Sequence, residues 1–283
     1  APGGCPWDRE QTHESIRRNM LEEAYEAAEA IDEKNPEHLK EELGDVLLQV
    51  VFHAQMAKEE GLFTFQDVVD GVAKKMVFRH PHVFGTVQAE DSDQALETWD
   101  AQKRQEKHQR TAGDTLDAVA RSLPALIRAE KLQDKARKAG FDWPDLAPAL
   151  DKLDEEVGEL RRAAQGDGDP QEELGDLLFA AVKAGRFLHV DSEQALTQAC
   201  EKFIRRFRAV ERLAQGESLD QMELAQLEEL WARAKQQEGW NAPRKGQAFP
   251  KAAQILRRRH AMNKTELINA VADKTLLSKK EIG

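Results

Sequence analysis

The 283-residue sequence predicts an all-α protein built as a tandem repeat. Apolar residues recur at the 3.6-residue spacing of amphipathic helices through most of the chain. Helix-forming residues dominate, and no β-branched alternating run of the kind that predicts a strand stands out. Several acidic motifs occur twice in the same order, which indicates two copies of one helical domain.

Each predicted helix ends near residues that commonly stop helices. The breaks fall at Asn35-Pro36, Gly61, Gly113, Gly140 and Gly216, and a glycine-rich stretch covers 166–170. The segment His80-Pro81-His82 is interpreted as a loop. The predicted helices cover residues 12–33, 37–60, 65–79, 92–110, 122–138, 145–165, 170–189, 192–214 and 221–237.

The composition narrows the class of protein. No apolar run approaches the roughly 20 residues that a membrane helix requires, so we expect no membrane partner. Two cysteines, Cys5 and Cys200, are too few for a disulfide framework and favour a reducing, cytoplasmic setting. The net charge is −11, although residues 244–283 are basic. The acidic remainder predicts no specific nucleic-acid binding.

The internal repeat is the most informative feature. Glu-Glu-Leu-Gly-Asp at 41–45 recurs unchanged at 172–176, and segment 22–26 matches 155–159. Further matched pairs are Lys75 with Lys202, Arg79 with Arg206, Trp99 with Trp231 and Lys103 with Lys235. We therefore predict a first domain at 1–112, a junction at 113–121, a second domain at 122–239 and a basic tail at 240–283.

Each copy carries Glu-x-x-Glu on one predicted helix and Glu-x-x-Asp on the next. Residues three apart share a helix face, and these faces meet apolar stripes. Uncompensated carboxylates there would cost several kcal/mol. The residues are Glu23, Glu26, Glu42 and Asp45 in the first copy, and Glu156, Glu159, Glu173 and Asp176 in the second.

An oxygen-only ligand set favours Mg²⁺, or Mn²⁺, over Zn²⁺. Mg²⁺ commonly bridges carboxylates to phosphates, which Lys202 and Arg206 could also contact. The pattern predicts a metal-dependent hydrolase of phosphate esters or anhydrides. The alternative is a solvated acidic helix face. Trp99 and Trp231 could stack on a base, or they could be ordinary core residues.

These motifs, together with 4–8, 79–84 and 122–126, resemble the MazG family of nucleoside triphosphate pyrophosphohydrolases. The resemblance covers about residues 1–239. It implies helical domains whose four-helix-bundle cores are completed by dimerisation, usually in a homodimer. It also implies Mg²⁺-dependent hydrolysis of nucleoside triphosphates to monophosphate and pyrophosphate, with breadth over NTPs and dNTPs.

The resemblance also implies residue roles. The eight carboxylates above would be metal ligands, with Glu156 and Glu159 contributing to catalysis together with Lys202 and Arg206. The nucleotide would be bound by Lys202, Arg206, Trp231 and Lys235. Which glutamate is the general base stays open. The second copy is favoured as the active one because the family's activity is usually attributed there.

The tail departs from the family. Residues 262–283 resemble the start of an HU-type nucleoid protein, but the DNA-binding arms of that protein would lie beyond Gly283. We expect 240–261 to be poorly ordered and a helix near 264–273. Three alternatives stay open: a narrower pyrophosphatase acting on dUTP or phosphoribosyl-ATP, a catalytically silent nucleotide-binding regulatory module, and a nucleoid-associated protein acting through its tail.

Overall fold

A computed structural model describes residues 4–237, and this part of the chain contains helices and no strands. The all-α prediction is therefore confirmed. No helix between residues 4 and 237 is long and apolar enough to cross a membrane. The helices are α1 Pro6–Glu10, α2 Arg17–Asp32, α3 Pro36–Glu59, α4 Phe65–Arg79, α5 Pro81–Phe84, α6 Ser92–Glu106, α7 Ala112–Asp117, α8 Ala125–Lys138, α9 Ala147–Ala163, α10 Pro170–Phe187, α11 Ser192–Leu213 and α12 Leu224–Gln237, with a 3₁₀ turn at Leu219–Gln221.

The structure differs from the predicted helices at several places, including the short helix α1, which was not predicted. The segment interpreted as a loop at His80-Pro81-His82 contains the short helix α5, which Pro81 begins because its fixed φ suits the first helical position. The predicted junction contains α7. Residues 13–16 form a turn instead of the first turn of α2, because Thr12 and Ser15 bond to each other through side chain and backbone.

The described residues divide into two compact units, 4–103 and 104–237. In the first unit α2 packs on α3, and α3 packs on α4. Small side chains line these contacts, since Ala27, Ala30, Ala54 and Ala57 are all buried. The predicted domain boundaries at 112 and 122 stay a prediction. The predictions for 240–261 and 264–273 lie outside the described residues.

In the second unit α9 packs on α10, α8 packs on α10 and α11, and α11 packs on α12. The α11–α12 contact contains a buried apolar cluster with Ala209, Val210 and Leu230 among its members. Near the middle of the unit, the buried side chain of Gln133 donates a hydrogen bond to the Phe179 carbonyl at 2.8 Å. These contacts fix α9 and α10, the two helices that carry the second acidic motifs.

The two acidic helix pairs are hairpins with different helix starts. Asn35 accepts a hydrogen bond from the His38 backbone amide and caps α3. Asp169 caps α10 in the same way, accepting from the Gln171 amide. Consequently α3 begins six residues before Glu42, whereas α10 begins three residues before its counterpart at 173. The first copy has one additional helical turn before its second acidic motif.

Candidate metal centre

The first carboxylate cluster lies between α2 and α3. Glu23, Glu26 and Glu42 each offer one oxygen, and these three oxygens lie within 4.8 Å of one another. Glu42 is only 7% exposed, and its Oε2 atom is buried without a hydrogen-bond partner among the described residues. Asp45 is not one of the three, although its charge reaches Glu23. The cluster therefore holds an unsatisfied acceptor oxygen in a negative environment.

Crowding of the carboxylates perturbs their protonation. Burial raises the pKa of Glu23, and the charges of Asp45, Glu26 and Glu42 raise it further. Burial also raises the pKa of Glu42, with Glu26 acting in the same direction and His38 opposing. A bound cation would remove this repulsion, because an opposite charge favours the ionised form of every carboxylate around it.

The second cluster lies between α9 and α10 and has the same character. Glu156, Glu173 and Asp176 bring one oxygen each within 4.8 Å of one another. Glu156 is 4% exposed, and its Oε2 has no partner among the described residues. Burial, followed by the charges of Glu159 and Glu156, raises the pKa of Glu173. Glu159 is outside the set of three and pairs with Arg162 at 3.2 Å.

Two basic neighbours of these clusters, a histidine and a lysine, were not identified from the sequence. His38 Nε2 lies 3.2 Å from Glu42 Oε1 in the first copy. Lys152 Nζ lies 2.6 Å from Glu156 Oε1 in the second. Both pairs have i,i+4 spacing, which is the signal that would have found them. Each cluster thus has one buried glutamate whose first oxygen is held by a neighbour and whose second oxygen has no partner.

The predicted nucleotide-binding residues lie on other helices of the second unit. Trp231 on α12 is half-buried, with its ring 5.3 Å from that of Phe203 on α11. Lys235 Nζ is 6.0 Å from the Trp231 ring centroid, so these two predicted residues are brought together. Lys202 and Arg206 lie one turn apart on α11, outside the two helices that carry the carboxylates.

The matching residues of the first copy are arranged differently. Arg79 is 6% exposed, and its guanidinium lies 5.1 Å from the Trp99 ring centroid. His80 approaches the same ring edge-on at 4.8 Å. Trp99 therefore has a buried arginine and a histidine at its ring, whereas the corresponding Trp231 has Phe203 and Lys235. The two copies are more similar in their carboxylate clusters than in the surroundings of their tryptophans.

Comparison with known proteins identifies the family. A MazG nucleotide pyrophosphohydrolase domain matches twice, at residues 11–84 and 147–210. The nucleoside triphosphate pyrophosphohydrolase of Escherichia coli K12 is 46% identical over 241 residues, which are 83% of this chain and 92% of that protein. The chain belongs to the MazG family. A Thermotoga maritima nucleoside triphosphate pyrophosphohydrolase/pyrophosphatase MazG is 45% identical over 240 residues, 83% of this chain and 91% of that protein.

The MazG matches confirm the tandem repeat and include both carboxylate clusters. Lys202 and Arg206 fall within the second match, whereas Trp231 and Lys235 lie beyond its end at 210. The Bacillus subtilis protein YabN is 46% identical over 242 residues, which are 84% of this chain and 49% of YabN. The similarity to these relatives thus extends over most of the chain.

The clusters also fit a divalent cation on their own chemistry. Each offers at least three carboxylate oxygens that can reach a common point, and each contains a buried oxygen with no partner among the described residues. Carboxylate oxygens are the ligands that Mg²⁺ and Mn²⁺ accept most readily. A buried acceptor of this kind is costly unless something binds it. The residues present therefore suit a divalent metal ion.

Proposed function

We propose that this MazG protein is a Mg²⁺-dependent nucleoside triphosphate pyrophosphohydrolase that converts NTPs and dNTPs to monophosphates and pyrophosphate. The supporting observation is the duplicated cluster in which a buried glutamate, Glu42 or Glu156, keeps an unpartnered oxygen beside two further carboxylates. Mn²⁺ suits the same oxygen ligands. A substrate with three phosphates supplies the additional oxygen ligands through which a carboxylate-bound Mg²⁺ commonly contacts its substrate.

The metal ligands we assign are the eight motif carboxylates: Glu23, Glu26, Glu42 and Asp45, and Glu156, Glu159, Glu173 and Asp176. When bound, the metal offsets the charge of the triphosphate and makes the attacking water more acidic. Glu156 is ion-paired to Lys152 at 2.6 Å and is fixed in place. Glu159 is partly exposed, pairs with Arg162 at 3.2 Å and lies outside the set of three oxygens, and we assign to it the acceptance of the water proton.

Cations and an aromatic ring complete the proposed site. Lys202 and Arg206 stabilise the charge that develops on the departing pyrophosphate. Trp231 offers a ring face to the base, with the ammonium group of Lys235 nearby to contact the nucleotide. This assignment takes the second copy as the principal active site, where Lys235 and Phe203 lie beside Trp231, whereas the buried Arg79 lies over Trp99 in the first copy.

Two further observations support a cytoplasmic location and a homodimer. Cys5 and Cys200 are free and exposed, which suits a reducing compartment rich in nucleotides. Large apolar side chains on α10, among them Leu174, Leu178 and Phe179, are exposed in the single chain and suit contact with a second copy.

The silent regulatory alternative would require a broken carboxylate set, and both sets are intact. We expect no specific nucleic-acid binding.

Pyrophosphate release tests this proposal. Wild-type protein would be assayed with a panel of NTPs and dNTPs, including dUTP and phosphoribosyl-ATP, with Mg²⁺ and with EDTA. We expect Mg²⁺-dependent release over several bases, reduced about 100-fold or more in Glu159→Gln. Glu26→Gln, the matched change in the first copy, should cost much less. Asp154→Asn, an exposed carboxylate on α9, is the control.

The outcomes separate the alternatives. Release from dUTP or phosphoribosyl-ATP alone would favour the narrower pyrophosphatases. Loss only with Glu26→Gln would move the active site to the first copy. No release by folded wild-type protein from any nucleotide would contradict the proposal and favour the silent nucleotide-binding module.

A further inference from the structure

Two histidines connect the segment that precedes α2 to helix α3 in the first unit. His13 lies four residues before α2 begins, and His53 lies in the last third of α3. Their Nδ1 atoms are 2.7 Å apart, and both side chains are half-buried. Neither histidine belongs to the first carboxylate cluster, so the proposed site does not account for this contact.

The two imidazoles lie edge to edge and share one hydrogen bond. Their rings are parallel to within 2°, and the ring centroids are 5.0 Å apart. Stacked rings are separated by about 3.5 Å, so a contact of 2.7 Å between atoms of two parallel rings excludes stacking. The arrangement is an N–H···N hydrogen bond, in which one Nδ1 donates and the other accepts.

This hydrogen bond limits how many protons the pair can hold. With one added proton, an imidazolium still donates to a neutral ring. A second added proton makes both Nδ1 atoms donors and places two positive charges in contact. His53 Nε2 is also buried without a partner among the described residues, so a charged ring there would be poorly solvated. Burial, followed by the charge of His13, accordingly lowers the pKa of His53.

The surrounding charges leave this effect in place. Helix α3 packs on α2 and α4, but the charge that lowers the pKa of His53 is that of His13, which lies on neither helix. Glu14, next to His13, is exposed, and its pKa is lowered first by a backbone hydrogen bond, then by Thr12 and last by the charge of His13. Stabilisation by neutral His53 is therefore present above the unfolded pKa of about 6.5 and is lost as pH falls through the lower folded value.

The second copy connects its corresponding segment in a different way. Ala184 stands at the position matched to His53, so the histidine pair cannot form there. Instead Asp142, which precedes α9, is held by Lys183 and Arg186 on α10. This ion cluster weakens only when its carboxylate is protonated, well below the pH range in which histidines titrate.

We propose that the His13–His53 hydrogen bond is an acid-sensitive connection that releases residues 4–16 from α3 when the pH falls below about 6, while residues 140–146 of the second copy stay in place. The released segment leads directly into α2, which carries Glu23 and Glu26. Mild acid would thus loosen the start of a helix of the first carboxylate cluster and spare the second. The inference does not depend on the proposed enzymatic activity.

Two measurements on the full-length chain test the connection. In protein labelled with ¹⁵N-histidine, nuclear magnetic resonance should show coupling between the two Nδ1 atoms at pH 7.5 and its loss at pH 5. Hydrogen exchange, corrected for its intrinsic pH dependence, reports release, because opening that takes up one proton shifts its equilibrium up to about 10-fold per pH unit. We expect protection of the hydrogen-bonded amides in 9–16 to fall about 10-fold or more between pH 7.5 and 5.5, with 140–150 unchanged.

A variant that cannot take up the second proton provides the decisive comparison. His53→Gln can still form a hydrogen bond with His13 and should keep the protection of 9–16 at pH 5.5. His189→Asn is the control, because His189 is exposed in the second unit at a φ of 56°, which asparagine adopts readily. It should respond to pH as the unmodified protein does.

Three results would overturn the inference: equal protection of 9–16 at both pH values, an equal loss of protection in 140–150, or a loss in 9–16 that persists in His53→Gln. Should His53→Gln be unfolded, His13→Gln is the second variant, because it also prevents two imidazolium rings from meeting. It should keep its protection at pH 5.5, and a loss as large as in the unmodified protein would likewise contradict the inference.

Discussion

Glu173 shows how a single carboxylate in the second cluster limits the stability of the metal-free protein. Burial and the charges of Glu159 and Glu156 raise its pKa, so the folded state binds this proton more tightly than the unfolded state does. Stability from this group is thus complete below the unfolded value, about 4.3, and is lost as pH rises through the folded value. At neutral pH the ionised Glu173 therefore lowers the stability of the folded state unless a cation is bound.

We therefore predict that Glu173→Gln raises the Tm of metal-free protein at pH 7.5 and changes it little at pH 4. The same variant should lose most of the Tm increase that Mg²⁺ gives to wild-type protein, because a metal ligand is gone. Calorimetry in EDTA and in Mg²⁺ measures both effects. Glu172→Gln, an exposed neighbour, is the control. A lower Tm for metal-free Glu173→Gln at pH 7.5 would contradict this account.

At this scale the sequence predicted the carboxylates but not their neighbours. Repeated i,i+3 pairs beside apolar stripes identify the motif residues without a structure. His38 and Lys152 were missed because one i,i+4 ion pair is unremarkable in a chain with 41 basic and 52 acidic residues. Their importance depends on burial of the partner glutamate. The apolar stripe beside Glu23 on α2 is also less buried than the sequence predicts, since its members Met20 and Ile31 remain exposed.

Buried ion pairs connect α10 to the segment that precedes α9. Asp142 accepts two hydrogen bonds from Arg186 Nη2, at 2.7 and 2.6 Å, and pairs with Lys183. All three side chains are mostly buried. Burial alone would raise the pKa of Asp142, but the bonds from Lys183 and Arg186 lower it overall. Its stabilisation is therefore present above the unfolded pKa of about 3.9 and disappears as pH falls through the folded value.

We predict that Asp142→Asn destabilises the protein by about 3 kcal/mol at pH 7, because two buried cations lose their counter-charge. The difference from wild type should shrink as the pH approaches 3. Urea denaturation at several pH values measures it, with Asp151→Asn, an exposed aspartate on α9, as the control. An equal loss at pH 7 and pH 3 would show that the ion cluster is not the cause.

Helix length decided which elements could be predicted. Helix α4 was predicted at 65–79 and is found there, because the Thr64 and Asp67 capping box marks its start. By contrast, α1, α5 and α7 have four to six residues, too few to display a 3.6-residue period. Each begins at a proline or after a threonine cap, signals that occur equally in turns.

Over the described residues, the two copies are repeats in sequence but not equivalent in environment. The first has His38 beside its buried glutamate and Arg79 over its tryptophan. The second has Lys152 and a tryptophan packed on Phe203. Counting the motifs cannot separate the copies, because all four carboxylates are present in each. The differences lie in helix starts and side-chain contacts, which depend on tertiary structure.

The exposed apolar residues of α10 indicate that a second chain covers this face of the helix. Leu174, Leu178 and Phe179 lie on one helix and are 48%, 48% and 45% exposed. Contiguous patches of this kind are uncommon on monomers, and a two-helix hairpin needs a second hairpin to form a four-helix core. We therefore predict a homodimer, with twice the 31.9 kDa mass of the chain, in light scattering after size exclusion.

Leu178→Glu should convert this dimer to monomer. Burying the leucine contributes about 2 kcal/mol per subunit, and a buried unpaired carboxylate costs several more, so dimer affinity should fall at least about 100-fold. Gln171→Glu adds the same charge to α10 at an exposed polar position and should leave the dimer intact. A wild-type monomer at every concentration, or a dimer unaffected by Leu178→Glu, would mean that another partner or surface covers this face. Dimerisation through α10 would place copies of the second metal centre close to the interface, because Glu173 and Asp176 lie on that same helix.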